Sequence, residues 1–589
     1  MADKYNTLHY MIAELKEYGI KHIVSSPGTQ NSTFNYIVQD DPFFNCYSVV
    51  DERSAAYVAL GIASEVQEPV VITCTGATAA RNYMSAMTEA YYSEVPVIAL
   101  TFYDPHTHKY NMAPQYTDRS ISQNDIKSMA VHLPEIKDSL DKKYVLTAIN
   151  AAISRAKYNN EPVHIDCPSA YNYEIKNLPS DVWKTEYIFE DYESLKGLLK
   201  NKKVAVLIGR HRKFNKNEEK SISDFVKSYN APVFCEHTSN YNGENKILIP
   251  QFKLLNTPSL KPDIVLDLGG ISCIYGNGGL LENAEYWRVV ENYKYSSRED
   301  RKMKKMLVGR YKGIFNALLN DKQEDENYYK MLRDKVDSMV INQLPLSTSF
   351  VTQKMAEYLP NDCSLHLAIL MAVQNMNYFE IPSNVNVVAN VGGFGIDGAI
   401  STAVGQSLVN QHKKCFCVTG DLAFFYDMNI VGNRHIRDNF RILLINNNKG
   451  FTMRANPHLE KNWGEKSDNL VTAAGHYKNG AKDWAISCGF EYLSANTKEK
   501  YESQIKDFCN KTYNKPVLFE VFTNTEEEKE GLCVLHSIDF NKTPAKELSL
   551  SEKIFSIRNE YSGAKKHKSI NLMGAKIKIK VKDKNGKNQ

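Results

Sequence analysis

The sequence predicts an α/β protein made of doubly wound parallel sheets, on three observations. Ten short runs rich in valine, isoleucine and leucine recur along the chain, and each is followed by a stretch of helical periodicity. Strands buried on both faces read as continuous apolar runs, and alternation with helices is the pattern of a covered parallel sheet. The third observation is length: 589 residues exceed what one hydrophobic core can serve, and ~150 residues per domain gives three to four domains.

Taken in order, the runs are KHIVSS (21–26), PVVITCTG (69–76), PVIALTF (96–102) and PVHIDCP (162–168); then KVAVLIGR (203–210) and DIVLDLGG (263–270); then VNVVANVG (385–392), KCFCVTGD (414–421), RILLINNN (441–448) and PVLFEVFT (516–523). A polar stretch near 177–193 and a charged one near 321–337, ahead of a helix near 347–359, mark boundaries. Three domains follow, at 1–178, 185–335 and 345–545, with a basic C-terminal extension at 546–589.

Hydrophobic residues make up 43% and charged residues 24%, which is globular usage and excludes a disordered chain. No run approaches the ~18 apolar residues of a membrane span, and the N-terminal stretch is amphipathic and acidic rather than signal-like. Eleven scattered cysteines show no disulfide framework, and Cys415 with Cys417 reads as a buried pair on one strand face. The expectation is a soluble cytoplasmic protein. Its net charge of +4 is uneven: between residues 565 and 589 nine lysines face one acid, Asp583, so that segment carries +8 and the remainder −4. Such a body has no nucleic-acid footprint. The AKIKIKVK alternation in the extension reads as a lysine-protected edge strand.

In open parallel sheets ligands bind beyond the carboxyl ends of strands, so informative residues should follow the apolar runs. Gly420-Asp421 ends one run and Asn446-Asn447-Asn448 ends the next. The 26 residues from Asp421 to Asn447 hold a helix, expected at about 423–436, and a returning strand: one right-handed crossover that brings the two ends together. A carboxylate and an amide oxygen there are hard ligands suited to Mg²⁺, and a helix N-terminus suits a diphosphate. The asparagines read equally as an Asx-rich turn.

Residues 391–398, VGGFGIDG, fit G-x-G-x-x-G and admit a nicotinamide-dinucleotide fingerprint or a plain strand-to-helix turn. In the first third, Glu52 stands at a strand–helix junction before an alanine-rich helix. A carboxylate there is expected to be partly desolvated, with a raised pKa, and able to exchange a proton with a bound ring nitrogen; a helix N-terminal acid paired with Arg53 is the alternative.

Together, Ser26-Pro27-Gly28, DERSAAYVALG (51–61), T-x-A-T-A-A-x-N (75–82), Asn390 with GIDGAISTAVG (395–405), GDLAFFYDMN (420–429) and INNN (445–448) resemble the thiamine-diphosphate-dependent enzyme family, and within it the MenD-type branch. The resemblance touches both outer domains, about two-thirds of the chain. It implies a pyrimidine-binding domain, a central domain and a diphosphate-binding domain, in a homodimer or homotetramer whose site lies between the first domain of one subunit and the third of another. It implies that Glu52 hydrogen-bonds the aminopyrimidine ring of thiamine diphosphate and activates it. Thr78, Asn82, Gly395, Gly420, Asp421 and Leu422 would frame the cofactor, Ile396 would wedge it into its bent form, and Asp421, Asn447 and the Lys449 carbonyl would hold Mg²⁺. The implied activity is decarboxylation of a 2-oxo acid and transfer of the acyl-anion equivalent to an acceptor, the work of a transferase or lyase on carbon–carbon bonds.

The departures fall on substrate recognition. Thr29-Gln30-Asn31 replaces a turn that carries a carboxylate-gripping arginine; further family arginines align with Asp104, with Val391 and, more loosely, near Ala372. Neutral or acidic groups do not replace arginine forks, so the expected reaction is not the menaquinone step itself. Asp104 with His106 and His108 suggests a hydroxylated or amino-bearing acceptor such as a sugar derivative, or a polar surface loop, and Gln115 aligns loosely with a glutamine near the thiazolium. Simple decarboxylation to an aldehyde, and a nicotinamide-binding or non-catalytic protein, are the remaining alternatives. In the central domain, 267–285 is glycine-rich and reads as a nucleotide turn or a plain loop.

Overall fold

The computed structural model of the chain describes residues 5–106, 115, 117, 123–170, 177–182, 195, 197–248, 250, 260–273, 284–291, 303–319, 327–475 and 479–538, and the backbone of three strands in the extension. The first sheet holds β1 (His22–Ser25), β2 (Asn45–Ser48), β3 (Val70–Thr75), β4 (Val97–Tyr103), β5 (Met129–His132) and β6 (Val163–Pro168), in the order β2-β1-β3-β4-β6-β5. The central sheet holds β7 (Val204–Ile208), β8 (Val233–Cys235), β9 (Lys246–Leu248), β10 (Ile264–Leu268), β11 (Glu285–Val290) and β12 (Met303–Val308), in the order β12-β11-β10-β7-β8-β9. The third holds β13 (Ser364–Leu367), β14 (Asn386–Val388), β15 (Cys415–Gly420), β16 (Phe440–Asn446), β17 (Glu491–Ala495) and β18 (Val517–Phe522), in the order β14-β13-β15-β16-β18-β17. Every pairing in the three sheets is parallel.

The first and third sheets thus share one topology, whose strand order reverses between β1 and β3 and between β13 and β15. These are the switch points where a crevice opens beyond the strand ends. All ten predicted runs contain a strand. The eight strands the runs do not mark are short or polar, such as Asn-Cys-Tyr-Ser in β2 and the three residues of β8.

The helix expected at 423–436 is different. It begins at Asp421 and stops at Tyr426, and a 3-10 turn, Met428–Gly432, follows. Asp427 ends it: the carboxylate turns back to accept hydrogen bonds from Ser401 N (2.7 Å) and Oγ (2.6 Å), and its backbone leaves the helical region at φ −110°. The predicted helix near 347–359 runs Thr348–Tyr358, capped by Ser347, whose Oγ accepts from Phe350 N. Cys415 and Cys417 are buried together in β15 as expected.

One apolar core joins the first and third sheets. It runs from Val24, Ile72 and Ala99 through helix Glu52–Val66 and helix Ala399–Val409 to Cys417, Ile442 and Leu518. The two helices touch backbone to backbone. A Cβ on Gly61 would overlap the carbonyl oxygen of Thr402, and one on Gly405 would overlap that of Val58. Separate cores cover the other face of the first sheet and the central sheet.

In the extension, β19 (Phe555–Ser562), β20 (Lys565–Leu572) and β21 (Ala575–Lys580) form an antiparallel meander with the alternating lysine strand at an edge. Among the described residues no helix is long and apolar enough to cross a membrane.

The helix contact makes a prediction. Gly405→Val forces the two backbones apart and should cost about 3 kcal/mol, the upper part of the usual overpacking range. The urea midpoint of the transition that exposes the outer-domain core should fall accordingly; an unchanged midpoint would contradict the close crossing.

Candidate functional site

Several of the residues singled out from the sequence lie beyond the strand ends of the two outer sheets. Beyond β1, the turn 26–31 is tied down by its own side chains: Ser26 Oγ donates to the Val49 carbonyl (2.8 Å), and Gly28 N donates to Asn31 Oδ1 (2.8 Å). Gln30 is buried, and its Oε1 accepts from Gly76 N (3.0 Å), which locks this turn to the one after β3. Thr29 is exposed beside it.

Glu52 is the first residue of helix Glu52–Val66, after the N-cap Asp51, whose side chain accepts from Arg53 N. Asn82 Nδ2 donates to Glu52 Oε2 (3.1 Å), so two residues expected to address the cofactor meet, with Thr78 exposed on the same short turn. The desolvation expected for Glu52 is not supplied by its own chain. The residue is only half-buried, because the apolar helix behind it packs toward the core while the N-terminus opens outward. Its neighbour Arg53 stands about 100° further around the helix. Arg53 donates to the carbonyls of Asp397 (2.8 Å) and Tyr426 (3.4 Å) and lies 3.9 Å from Asp427, and with Asp51 and Ser54, which both accept from Asn429 Nδ2, it reaches the third domain of the same chain.

At the second switch point, β15 pairs with β16 so that Gly420 faces Ile445, which sets Asp421 beside Asn446 and Asn447. Asp421 is 2% exposed. Burial pushes its carboxyl up to about 7, only partly offset by the N–H groups of Leu422, Lys449 and Asn448. Asn446 spends its amide on Glu520 Oε1 (2.7 Å) and its oxygen on Asn448 N (3.0 Å), and Asn447 Oδ1 accepts from Lys449 N at 3.3 Å. These are Asx turns, as one reading of the sequence had it, and the longer bond leaves Asn447 the freer oxygen. Lys449 turns its ammonium to Asp468 (2.6 Å). Among the described residues no cluster of three or more His, Cys, Asp or Glu could hold a metal ion. The oxygens available here are one carboxylate, one side-chain amide and backbone carbonyls, a hard set suited to Mg²⁺ and unsuited to a soft metal.

The glycine run 391–398 is a turn from β14 into helix Ala399–Val409, with Phe394 left-handed at φ +55° and Ile396 37% exposed after Gly395. It rests on the first domain. Gly393 N donates to Glu89 Oε2 (2.5 Å), and Tyr57 Oη donates to Asp397 Oδ2 (3.0 Å). Glu89 and Asp427 were not singled out from the sequence. Each is a buried acid pushed by burial up to about 7; Glu89 holds an N–H of the glycine turn, and Asp427 holds the N–H and hydroxyl of Ser401 in the helix that follows that turn. The only sequence signal was an acid inside an otherwise apolar helix, as in Ser-Ala-Met-Thr-Glu-Ala.

Of the substrate-recognition candidates, Val391 and Ala372 are buried in the apolar interior. Asp104 Oδ1 accepts from His106 N (2.9 Å), closing a turn after β4. Gln115 is exposed with φ +61°. His108 lies outside the described residues.

Residues 5–129 match the N-terminal TPP binding domain of thiamine pyrophosphate enzymes, and residues 370–521 match their C-terminal TPP binding domain. The chain is 29% identical over 553 residues to a 2-succinyl-5-enolpyruvyl-6-hydroxy-3-cyclohexene-1-carboxylate synthase of Phocaeicola vulgatus, covering 90% of this chain and 97% of that protein. Synthases of the same name from Bacteroides fragilis (28% over 563 residues, 90% and 97%) and Flavobacterium johnsoniae (29% over 540 residues, 86% and 94%) are similarly related. The chain is a thiamine-diphosphate-dependent enzyme of MenD-like type, in the class that acts on carbon–carbon bonds with a divalent cation such as Mg²⁺. The glycine run falls inside the C-terminal TPP binding domain, which removes the nicotinamide alternative.

Glu89 gives this site a pH signature. Unfolded it titrates near 4.5 and folded near 7, so burial of its charge penalises the folded state progressively from about pH 4.5 upward, fully above about 7, and not in acid. The stability of Glu89→Gln relative to wild type should therefore rise by up to roughly 3 kcal/mol between pH 4.5 and 8, read by urea unfolding. A difference that stays level with pH would contradict the burial of a charged Glu89; comparing the two proteins removes the contributions of Asp421 and Asp427, which titrate in the same window.

Proposed function

We propose that this thiamine-diphosphate-dependent enzyme decarboxylates a 2-oxo acid and transfers the remaining acyl group to an acceptor that is not a multiply charged carboxylate. The observation that supports the reading is a division within the site. The positions directed at the cofactor carry the side chains its chemistry needs, whereas the positions where an arginine would grip a carboxylate hold Gln30, Asp104, Val391 and Ala372. Gln30 is committed to Gly76, and Val391 and Ala372 are buried. At about 1.5–3 kcal/mol for each hydrogen bond to a charged group, an acceptor that relied on those arginines would bind far more weakly here.

When bound, thiamine diphosphate supplies the nucleophilic carbon and the electron sink. Asp421, the Asn447 amide oxygen and the Lys449 carbonyl would hold the Mg²⁺ that neutralises its diphosphate, and a cation there offsets the burial that raises the Asp421 carboxyl. Gly395, Gly420 and Leu422 would frame the cofactor, and Ile396, 37% exposed, would supply the hydrocarbon surface against it. Glu52, held by Asn82, would exchange a proton with the aminopyrimidine ring, and Thr78 would stand beside it as a polar wall. In one chain Glu52 is half-buried and bonded to Asn82 of the first domain while Arg53 addresses its own third domain, which supports Glu52 serving the third domain of a second copy. That pairing requires a homo-oligomer, and it provides the desolvation a single chain lacks. The donor of the relatives' reaction is implied by their product: a succinyl group is what 2-oxoglutarate leaves after losing CO₂.

Release of CO₂ from a panel including 2-oxoglutarate and pyruvate, with thiamine diphosphate and Mg²⁺, tests the proposal. Wild type should release it from at least one acid and Glu52→Gln at least 10²-fold more slowly, the usual scale of a proton-transfer group. Equal rates in the two proteins, or no release by wild type with the cofactor bound and candidate acceptors supplied, would overturn it.

A further inference from the structure

Among the oxygens that would face a divalent cation beyond β15 and β16, the Lys449 carbonyl belongs to no regular element. The strand ends at Asn446, Asn448 is left-handed at φ +64°, and the next helix begins at Phe451. A planar trans peptide points its C=O and its N–H in opposite directions, so whatever accepts the Gly450 N–H fixes where the Lys449 carbonyl points. That acceptor is the Thr472 carbonyl oxygen, 2.6 Å away. The approach is tight: a Cβ on Gly450 would stand 3.0 Å from Leu422 Cδ1 and 3.2 Å from the Thr472 oxygen.

Between Gly450 and Thr472 the chain makes an excursion of two short helices, Phe451–Arg454 and Pro457–Asn462, and a 3-10 turn, Gly464–Asp468. The excursion is knit internally: Arg454 pairs with Glu460, which Lys529 also reaches from helix Thr525–His536 (2.7 Å). Its return meets the loop 447–450 at three points. Gly475 N donates to the Asn448 carbonyl (3.2 Å), Gly450 N donates to Thr472, and Lys449 Nζ donates to Asp468 Oδ2 (2.6 Å). Asp468 acts at two of the three, because its other oxygen, Oδ1, accepts from Thr472 Oγ1 (3.0 Å) and so seats the residue that holds the Gly450 N–H. One carboxylate thus sets both ends of the Lys449–Gly450 peptide, Lys449 through its ammonium and Gly450 through Thr472. The Lys449 and Asp468 side chains are 16% and 22% exposed, so solvent ions screen this pair less than one on the open surface.

We propose that Asp468 is a positioning residue for the divalent cation: with Thr472 it aims the Lys449 carbonyl at the metal, acting through these residues rather than on the reacting atoms. Asp468 has this role only if Asp421, Asn447 and the Lys449 carbonyl are the cation's ligands, as proposed above. Groups that orient a metal ligand change metal affinity roughly 10- to 100-fold when they are removed.

Isothermal titration calorimetry of thiamine diphosphate into the full chain, at a series of Mg²⁺ concentrations, gives the Mg²⁺ concentration at which cofactor binding is half-maximal, with no turnover involved. Asp468→Ala should raise it roughly 10-fold or more. Asp468→Asn, which still accepts from Thr472, should raise it less. At saturating Mg²⁺ both variants should approach wild type in cofactor affinity and in CO₂ release. Should Asp468→Ala fail to fold, Asp468→Asn and Thr472→Val, which removes only the hydroxyl bond, provide the comparison. A half-maximal concentration unchanged in the variants, or a loss equal at every Mg²⁺ concentration, would overturn the role of Asp468. Asp421→Ala is the reference. If it leaves the Mg²⁺ requirement unchanged, the cation is held elsewhere, and the ligand set and the role of Asp468 fall together. If it abolishes the requirement while the Asp468 variants match wild type, only the role of Asp468 falls.

Discussion

The site rests on the crossing of helices Glu52–Val66 and Ala399–Val409. Gly61 and Gly405 let the two backbones touch, and the apolar residues around them make one core out of two sheets that would otherwise be separate domains. The consequence is positional. The N-terminus of the first helix carries Glu52 and Arg53, and the N-terminus of the second follows the glycine turn with Ile396. With the crossing set, Arg53 reaches Asp397 and Tyr426 of its own chain, and Glu52, about a quarter-turn away, stays open. A helix pair held at backbone contact has little freedom to exchange those roles.

Buried carboxylates do the rest of the positioning. Glu89 holds the glycine turn from below, Asp427 stops the short helix after Asp421 and ties it to Ser401, and Asp421 waits at the strand end with a carboxyl pushed up by burial. Three acids with weakened tendency to ionise around one site represent a stored electrostatic cost. On the proposed function a divalent cation at Asp421 would relieve it, coupling metal binding to the stability of the loop that holds the metal. Glu89 and Asp427 spend their oxygens on one backbone N–H and one serine hydroxyl each, and Asp427 also has the Arg53 guanidinium nearby.

Much of this was legible in the sequence because the fold is parallel. Strands buried on both faces cannot hide their apolar runs, and a parallel sheet concentrates function just past those runs, which is where Asp421, Asn447 and the 75–82 turn stand. What escaped has physical reasons. Edge strands such as β2 and β17 are half-solvated and carry polar residues, and β8 and β9 are too short for a period to show. The helix after Asp421 looked longer because nothing local marks Asp427 as a stop; its partner, Ser401, is 26 residues away. Glu89 is silent for the same reason, since the groups it serves lie more than 300 residues along the chain.

The central claim is that each complete site takes Glu52 from one chain and Asp421 from another. Glu52→Gln and Asp421→Ala chains carrying different tags can be co-expressed and their mixed oligomers isolated. Each variant alone should be inactive in CO₂ release. In a mixed dimer one of the two shared sites has both residues intact, so activity should return, to about half of the wild-type rate per dimer. Mixed oligomers as inactive as the parents would place both residues of each site on a single chain and contradict the account.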